Sequence, residues 1–353
     1  MRILLYPLSI LFRIIVFFRN KLYNFRFIKS KFLGCKVISV GNVSSGGTGK
    51  TPMTEYLTKY ICSRGKTVCV ILKGYKRSHD DMQVVQFGYN NEDGKLTSEK
   101  LGDEAIMLTD NFSGLPHDSG YLIVWDNKTS AAKFAHYKFN PDAIIIDDGF
   151  QLRKLNRDMD IVMVNPRESK LMLPAGDMRE PYKNIKRADI IVFNHKFQKI
   201  PDTFHKGNLS KAVDALYRFE SLVNFKNNTV QPDGLNIIAF CGIGDPVSFK
   251  ELLGTLNVYI SDFIVFQDHH NFINQDFSNI IERFKETKAD LIVTTQKDFA
   301  RLKYMSKQEG DFQKKKNDLL LNYPLYYAKI KLQISYNEEF LTGKLDEMIK
   351  EMG

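Results

Sequence analysis

Ser44-Ser45-Gly46-Gly47-Thr48-Gly49-Lys50-Thr51 has the residue types and spacing of a phosphate-binding loop. Glycines let backbone N–H groups converge on phosphate oxygens, and a helix starting at the end of the loop adds the positive end of its dipole. In such a loop Ser45, Gly46, Gly47, Thr48 and Gly49 would cradle ATP phosphates, and Lys50 would reach the β- and γ-phosphates. Thr51 would offer its hydroxyl to Mg²⁺. The common pattern opens on glycine, and Ser44 stands there instead. A nucleotide site of this kind also needs an acid at the carboxyl end of an apolar strand. The run Ile144-Ile145-Ile146-Asp147-Asp148 supplies two, and one of them would hold Mg²⁺, directly or through water.

These groups need strands and helices to position them, and the sequence alternates the two from residue 37. VISVG (37–41) reads as a buried strand leading into the loop, and 52–64 as the following helix, closed by Gly65. Short apolar runs at 67–74, 121–125, 143–148, 160–165 and 189–194 read as further strands, with helices near 103–111 and 129–139. Near-continuous apolar strands between helices indicate a parallel sheet covered on both faces. The polar stretch 78–100 reads as a loop or excursion. After the polar patch at 224–234 a second series follows, with strands at 236–244, 259–266 and 290–298 and helices at 246–256 and near 275–287. Residues 325–334 read as a strand returning toward the first unit, and 337–351 as a terminal helix.

The predicted fold is α/β. An N-terminal membrane-associated segment (1–34) precedes a P-loop NTPase-type domain with a mostly parallel sheet (35–215). A smaller Rossmann-like α/β domain with linker strands (216–336) and a C-terminal helix (337–353) follow.

The 353 residues are 43% hydrophobic and 26% charged, a composition that excludes a disordered or fibrous chain. Cys35, Cys62, Cys69 and Cys241 form no CxxC pair, which argues against a disulfide scaffold or zinc ribbon. The net charge of +9 is concentrated in one place: nine basic residues precede the first acid, Glu55, and the remainder is neutral. A nucleic-acid groove over the body of the protein is therefore not expected. The basic leader is also apolar, ILLYPLSILFRIIVFF over residues 3–18, but Arg13 interrupts it. A spanning helix needs about 20 apolar residues. The leader reads instead as an interfacial helix, with bulky side chains in the acyl region and Arg/Lys on anionic headgroups.

Eight segments in order resemble one family, the tetraacyldisaccharide 4′-kinases of lipid A biosynthesis. They are SVGNVSSGGTGKTP (39–52), LKGYKR (72–77), GDEA (102–105), DDGFQ (147–151), LPAGDMREP (173–181), FCGIGDP (240–246), DHHNF (268–272) and TTQKD (294–298). The resemblance implies transfer of the ATP γ-phosphate to the sugar 4′-hydroxyl of an acylated glucosamine disaccharide 1-phosphate. It implies ATP and Mg²⁺ as cofactors and a peripheral position on the cytoplasmic face of a Gram-negative inner membrane. No obligate protein partner is implied.

By the same resemblance Asp103 is the base and His269, or failing it His270, orients or tunes that carboxylate. Read alone, an Asp at a helix start is more often an N-cap. Gln151, Arg179 and Glu180 are implied at the nucleotide site, and Tyr75 against the disaccharide. Asn194, His195, Lys297 and Asp298 are candidates for a wall of the nucleotide site. The sequence departs from the family pattern at Leu152, where a histidine is usual, at Lys73, where an arginine is usual, and at Asp245 in place of asparagine. A MinD/ParA-like membrane ATPase switch is the alternative reading. That class places a lysine early in the loop, where this chain has Ser45. A soluble small-molecule kinase would leave the basic apolar leader without a role.

Overall fold

A computed structural model describes residues 5–74, 77, 80–91, 95–167, 170–198, 200, 210–305 and 310–352. The chain opens with helix α1 (Tyr6–Asn24), then β1 (Lys36–Gly41), α2 (Lys50–Ser63), β2 (Val68–Leu72), β3 (Gln83–Gln86), α3 (Ser98–Leu101) and α4 (Asp103–Phe112). β4 (Gly120–Val124), α5 (Lys128–Phe139), β5 (Ala143–Asp147), β6 (Met159–Val164) and β7 (Ile190–Asn194) complete the first unit. Two strands follow, β8 (Ala212–Asn224) and the short β9 (Thr229–Val230). The second unit holds β10 (Asn236–Cys241), α6 (Pro246–Gly254), β11 (Tyr259–Val265), α7 (Asn274–Thr287), β12 (Leu291–Thr295), α8 (Gln296–Tyr304) and α9 (Asp311–Asn322). β13 (Leu325–Tyr336) and α10 (Glu338–Lys350) end the described chain.

All thirteen strands belong to one sheet, ordered β11-β10-β12-β13-β8-β7-β6-β1-β5-β2-β4-β3, with β9 paired to β8. The pairs are parallel except β13 with β8, β3 with β4 and β8 with β9. The α/β architecture expected from the alternating apolar runs is therefore present, and the sheet is continuous through both units. Its central strands are buried on both faces. In β5, Ile145 joins the core beneath α2 and α4, while Ile144 and Ile146 join the one beneath α5.

The structure differs from the sequence reading in three places. The excursion at 78–100 contains the antiparallel edge strand β3 and the short α3. Helix α9 was not expected. The domain boundary drawn at 215/216 falls inside β8, which pairs with β13 over nearly its whole length. Two long antiparallel strands thus join the units, and the cleft between them has a hydrogen-bonded floor.

Helix α1 buries only a narrow stripe: Ser9, Val16 and Asn20 face the protein. Val16 joins Phe150, Val162 and Ile191 in a core under the sheet, and Ser9 Oγ accepts the Ala175 amide at 3.0 Å. Leu11, Ile14, Ile15 and Phe18 are exposed. Among the described residues no helix is long and apolar enough to cross a membrane.

Candidate active site

The loop between β1 and α2 is held by side chains that bind its backbone. Gly49 caps α2 in the left-handed region at φ +94°, a conformation glycine adopts without strain. A side chain there would also run into Asn194 and Tyr217. Asn194, at the end of β7, donates from Nδ2 to the Thr48 carbonyl and to the Tyr217 hydroxyl, each at 3.0 Å. Asn42 is fully buried under the loop, with Nδ2 3.2 Å from the Gly46 carbonyl and 3.1 Å from Thr48 Oγ1. Ser44, in place of the usual glycine, is buried and bridges to Met178, and its carbonyl accepts Arg179 Nε at 2.7 Å.

Asp147 and Asp148 end β5 beside this loop. Arg179 grips Asp148 with two bonds, Nη1 to Oδ2 at 2.9 Å and Nη2 to Oδ1 at 3.2 Å. Lys50 Nζ stands 3.7 Å from Oδ1 of the same carboxylate. Burial alone would raise the Asp148 pKa, but Lys50 and Arg179 outweigh it and hold the carboxyl at about 2. Asp147 is deeper. Burial pushes its pKa up to about 6 despite Lys50 and Lys128, and its Oδ1 accepts Thr54 Oγ1 at 3.3 Å. Lys128 Nζ donates to the carbonyls of Asp147 (2.6 Å) and Asp148 (3.1 Å).

Across the cleft, α8 and the loop after β11 bring a second set of groups toward α4. His269 Nδ1 lies 2.7 Å from Asp103 Oδ2. Its Nε2 lies 3.4 Å from Lys297 Nζ, which also donates to Glu104 at 2.8 Å. Asp103 is 9% exposed and sits behind His269, whereas His269, Glu104 and Lys297 line the cleft. Burial raises the Asp103 pKa, but hydrogen bonds from His269 and Arg301 and the charge of Arg301 bring it down to about 2. His270 points elsewhere: it pairs with Asp276 at 2.8 Å and stacks on Phe266.

One cavity of about 1120 Å³ takes in both walls, from Ser45–Thr51, Asp147, Asp148 and Arg179 on one side to Asp268, His269 and Lys297 on the other. Lys73 and Lys128 also line it.

Several expected residues lie elsewhere. Glu180 does not reach the cleft. It is fully buried, accepting Asn20 (3.0 Å), Asn184 (2.7 Å) and Arg187 (2.9 Å) on Oε2 and Arg19 (3.3 Å) on Oε1. Gln151 stands behind the loop, its Nε2 on the Asn42 carbonyl at 2.8 Å. His195 is buried against Asp214 at 2.9 Å, and Asp298 is buried against the Gly242 amide. Leu152 packs in the core beneath α5, and Arg153 turns away to α1, bonding the Asn20 carbonyl at 3.1 Å. Tyr75 lies outside the described residues. Sequence reasoning singled out neither Lys128, which lines the cavity, nor Asn42 and Arg301, which hold the loop and Asp103 from behind.

The family model for tetraacyldisaccharide-1-P 4′-kinase (LpxK) matches residues 1–350. A tetraacyldisaccharide 4′-kinase of Aquifex aeolicus is 36% identical over 303 residues, covering 84% of this chain and 89% of the relative. Those of Halothermothrix orenii and Chlorobium phaeovibrioides are 34% and 32% identical, over 84% and 98% of this chain and 83% and 98% of theirs. The crystal structure of LpxK from Aquifex aeolicus, described as an "apo" form in complex with ATP, superposes with a TM-score of 0.75 at 30% identity, over 99% of each chain. Matched by the family model over residues 1–350 and by relatives above 30% identity over most of its length, this chain belongs to the tetraacyldisaccharide 4′-kinase family.

Proposed function

We propose that this chain transfers the γ-phosphate of ATP to the 4′-hydroxyl of a tetraacyldisaccharide 1-phosphate presented at a membrane surface. The observation that carries this reading is the single cavity shared by the phosphate loop and His269, with Asp103 directly behind it. ATP phosphates lie along the loop amides from Ser45 to Gly49, and Lys50 neutralises charge on the β- and γ-phosphates. Arg179 orders Asp148 and the start of the loop together.

The donor set suits Mg²⁺. Asp147 is a carboxylate whose pKa is raised by burial despite Lys50 and Lys128, and Asp148 and the Thr51 hydroxyl line the same cavity as hard oxygens. Among the described residues no cluster of three or more metal-ligating side chains exists, so the ion would be shared with the nucleotide phosphates. Bound there, Mg²⁺ would supply charge neutralisation across the transferring phosphoryl group.

Asp103 and His269 act as one unit on the sugar hydroxyl. His269 Nδ1–H donates to Asp103 Oδ2, and the carboxylate is the group assigned to accept the 4′-hydroxyl proton. A carboxylate held at about 2 is a weak base. Phosphoryl transfer has a loose transition state in which positioning and electrostatics count for more than nucleophile activation. Closure of the two walls would exclude water from the γ-phosphate. The exposed apolar face of α1, with its basic residues, holds the protein peripherally on an anionic membrane, here assigned to the cytoplasmic face of a Gram-negative inner membrane. The test is ³²P transfer from γ-labelled ATP to purified tetraacyldisaccharide 1-phosphate in mixed micelles, beside a control without lipid. Label in the lipid supports the assignment; label only in free phosphate would leave an ATPase.

A further inference from the structure

Arg301 lies on α8 in the second unit, is 4% exposed, and reaches Asp103 on α4 of the first unit. Nε and Nη2 both donate to Asp103 Oδ2, at 3.1 and 2.6 Å. Nη1 donates to Asp298 Oδ1 at 3.1 Å and to the His270 carbonyl at 3.2 Å. Asp298 in turn accepts the Gly242 amide at 2.9 Å and Thr295 Oγ1 at 2.7 Å on its other oxygen. The Gly242 carbonyl accepts the amide of His269, whose backbone sits in the left-handed region at φ +58°. His269 then returns to Asp103. The bonds close a ring of Arg301, Asp298, Gly242, His269 and Asp103.

We infer that Arg301 is a positioning residue, which sets the Asp103–His269 pair in register where α8 packs on α4. The inference rests on the kinase reading above. Three bonds converge on Asp103 Oδ2, one from His269 and two from Arg301, so the orientation of the carboxylate is fixed. The same fork fastens the His270 carbonyl, and so limits the strained turn that presents the imidazole. Lysine would keep the charge but lose the planar fork that reaches three acceptors.

A pH profile separates this role from a merely structural ion pair. The titratable and charged groups facing Asp103 are His269, Lys297 and Arg301 from the second unit, with Glu104 beside it on α4 and Asp298 beyond Arg301. Removing the guanidinium removes bonds and charge that favour the ionised carboxyl, so the titration of Asp103 moves to higher pH.

The experiment uses the full-length protein with ATP and tetraacyldisaccharide 1-phosphate in mixed micelles, comparing wild type, Arg301→Gln and Arg301→Lys. Arg301→Gln is expected to lower kcat by about 10²-fold, the order of loss that misplacing a reacting group produces. The acidic limb of its kcat profile should rise by about 1–3 pH units, with KM for ATP within about twofold of wild type. Arg301→Lys should keep its acidic limb nearer wild type yet still lose about tenfold in kcat, because charge returns without the fork. Unchanged kcat in both variants overturns the inference. So does a kcat loss with an unmoved acidic limb that follows the loss of thermal stability. If Arg301→Gln fails to fold, the kcat of a folded Arg301→Lys decides alone. A wild-type protein that transfers no phosphate to the lipid would instead defeat the kinase reading itself.

Discussion

Asn20 on the N-terminal helix donates to Glu180 Oε2 at 3.0 Å, and the residue next to Glu180 is Arg179, which grips Asp148. The N-terminal helix, whose outer face is exposed and apolar, is therefore fastened to the loop that carries Arg179. Glu180 is the knot: its two oxygens collect donors from α1 (Arg19, Asn20) and from the segment after its own loop (Asn184, Arg187).

Glu180→Gln should destabilise the fold by about 3 kcal/mol, since it leaves two arginines without their buried counter-charge. Burial pushes the Glu180 carboxyl up, but Arg187 with the bonds from Asn184 and Asn20 outweighs this and sets its pKa below the ordinary 4.5. Its contribution is thus complete above the unfolded carboxyl pKa and fades as pH falls through the lower folded value. Urea melts at pH 7 and at pH 4 and below should show the gap between wild type and Glu180→Gln narrowing with acidity. A gap that stays constant would contradict this role.

Membrane attachment should depend on the outer face of α1. Ile15→Glu combined with Phe18→Glu replaces exposed side chains, so the fold should stay intact while binding to anionic vesicles drops. Salt should weaken binding of the wild-type protein, since headgroup attraction is screened beyond about 8–10 Å. Flotation with vesicles at low and high salt measures both, and salt-independent binding would argue against the headgroup contribution. Truncation of α1 is a poorer test, because it also strips Arg19 and Asn20 from Glu180.

Lys50→Ala should lower phosphoryl transfer by about 10²–10³-fold or more, the scale of losing one electrostatic contact to the transition state. Activity should vanish with EDTA and return with Mg²⁺. Transfer at near-wild-type rate in Lys50→Ala would remove the phosphate-loop assignment.

Asp103→Ala should lower kcat by about 10²–10⁴-fold, with nucleotide affinity little changed. His269→Ala should also lower kcat, and the double variant should be little worse than the poorer single, because losing either member disables the pair. Rate measurements on all four proteins make the cycle. Fully multiplicative losses would mean separate roles, with His269 working on a phosphate oxygen.

What the sequence revealed was local. The phosphate loop, the strand ahead of it and Asp147–Asp148 at the end of β5 are all fixed by nearby residue types, and the structure puts them together. What it concealed depends on distant pairing. β8 mixes Asp214, Arg218 and Glu220 with apolar residues, so its length emerges only when β13 lies against it. Arg301 looks like surface charge on a short helix until α8 packs on α4 and buries it. Lys128 gains meaning only because α5 starts beside the end of β5. Glu180 shares a motif with Arg179, but adjacent side chains on this loop point opposite ways, one to Asp148 and one to α1.

The most direct test of the central claim is the site and stoichiometry of phosphorylation. The purified protein should be incubated with ATP and tetraacyldisaccharide 1-phosphate, and the lipid product mapped by ³¹P–¹H correlation NMR while ADP is counted. One ADP should form per new phosphomonoester, with that phosphate on the 4′ oxygen. ADP formed without lipid phosphate, or phosphate on any other oxygen, would contradict it.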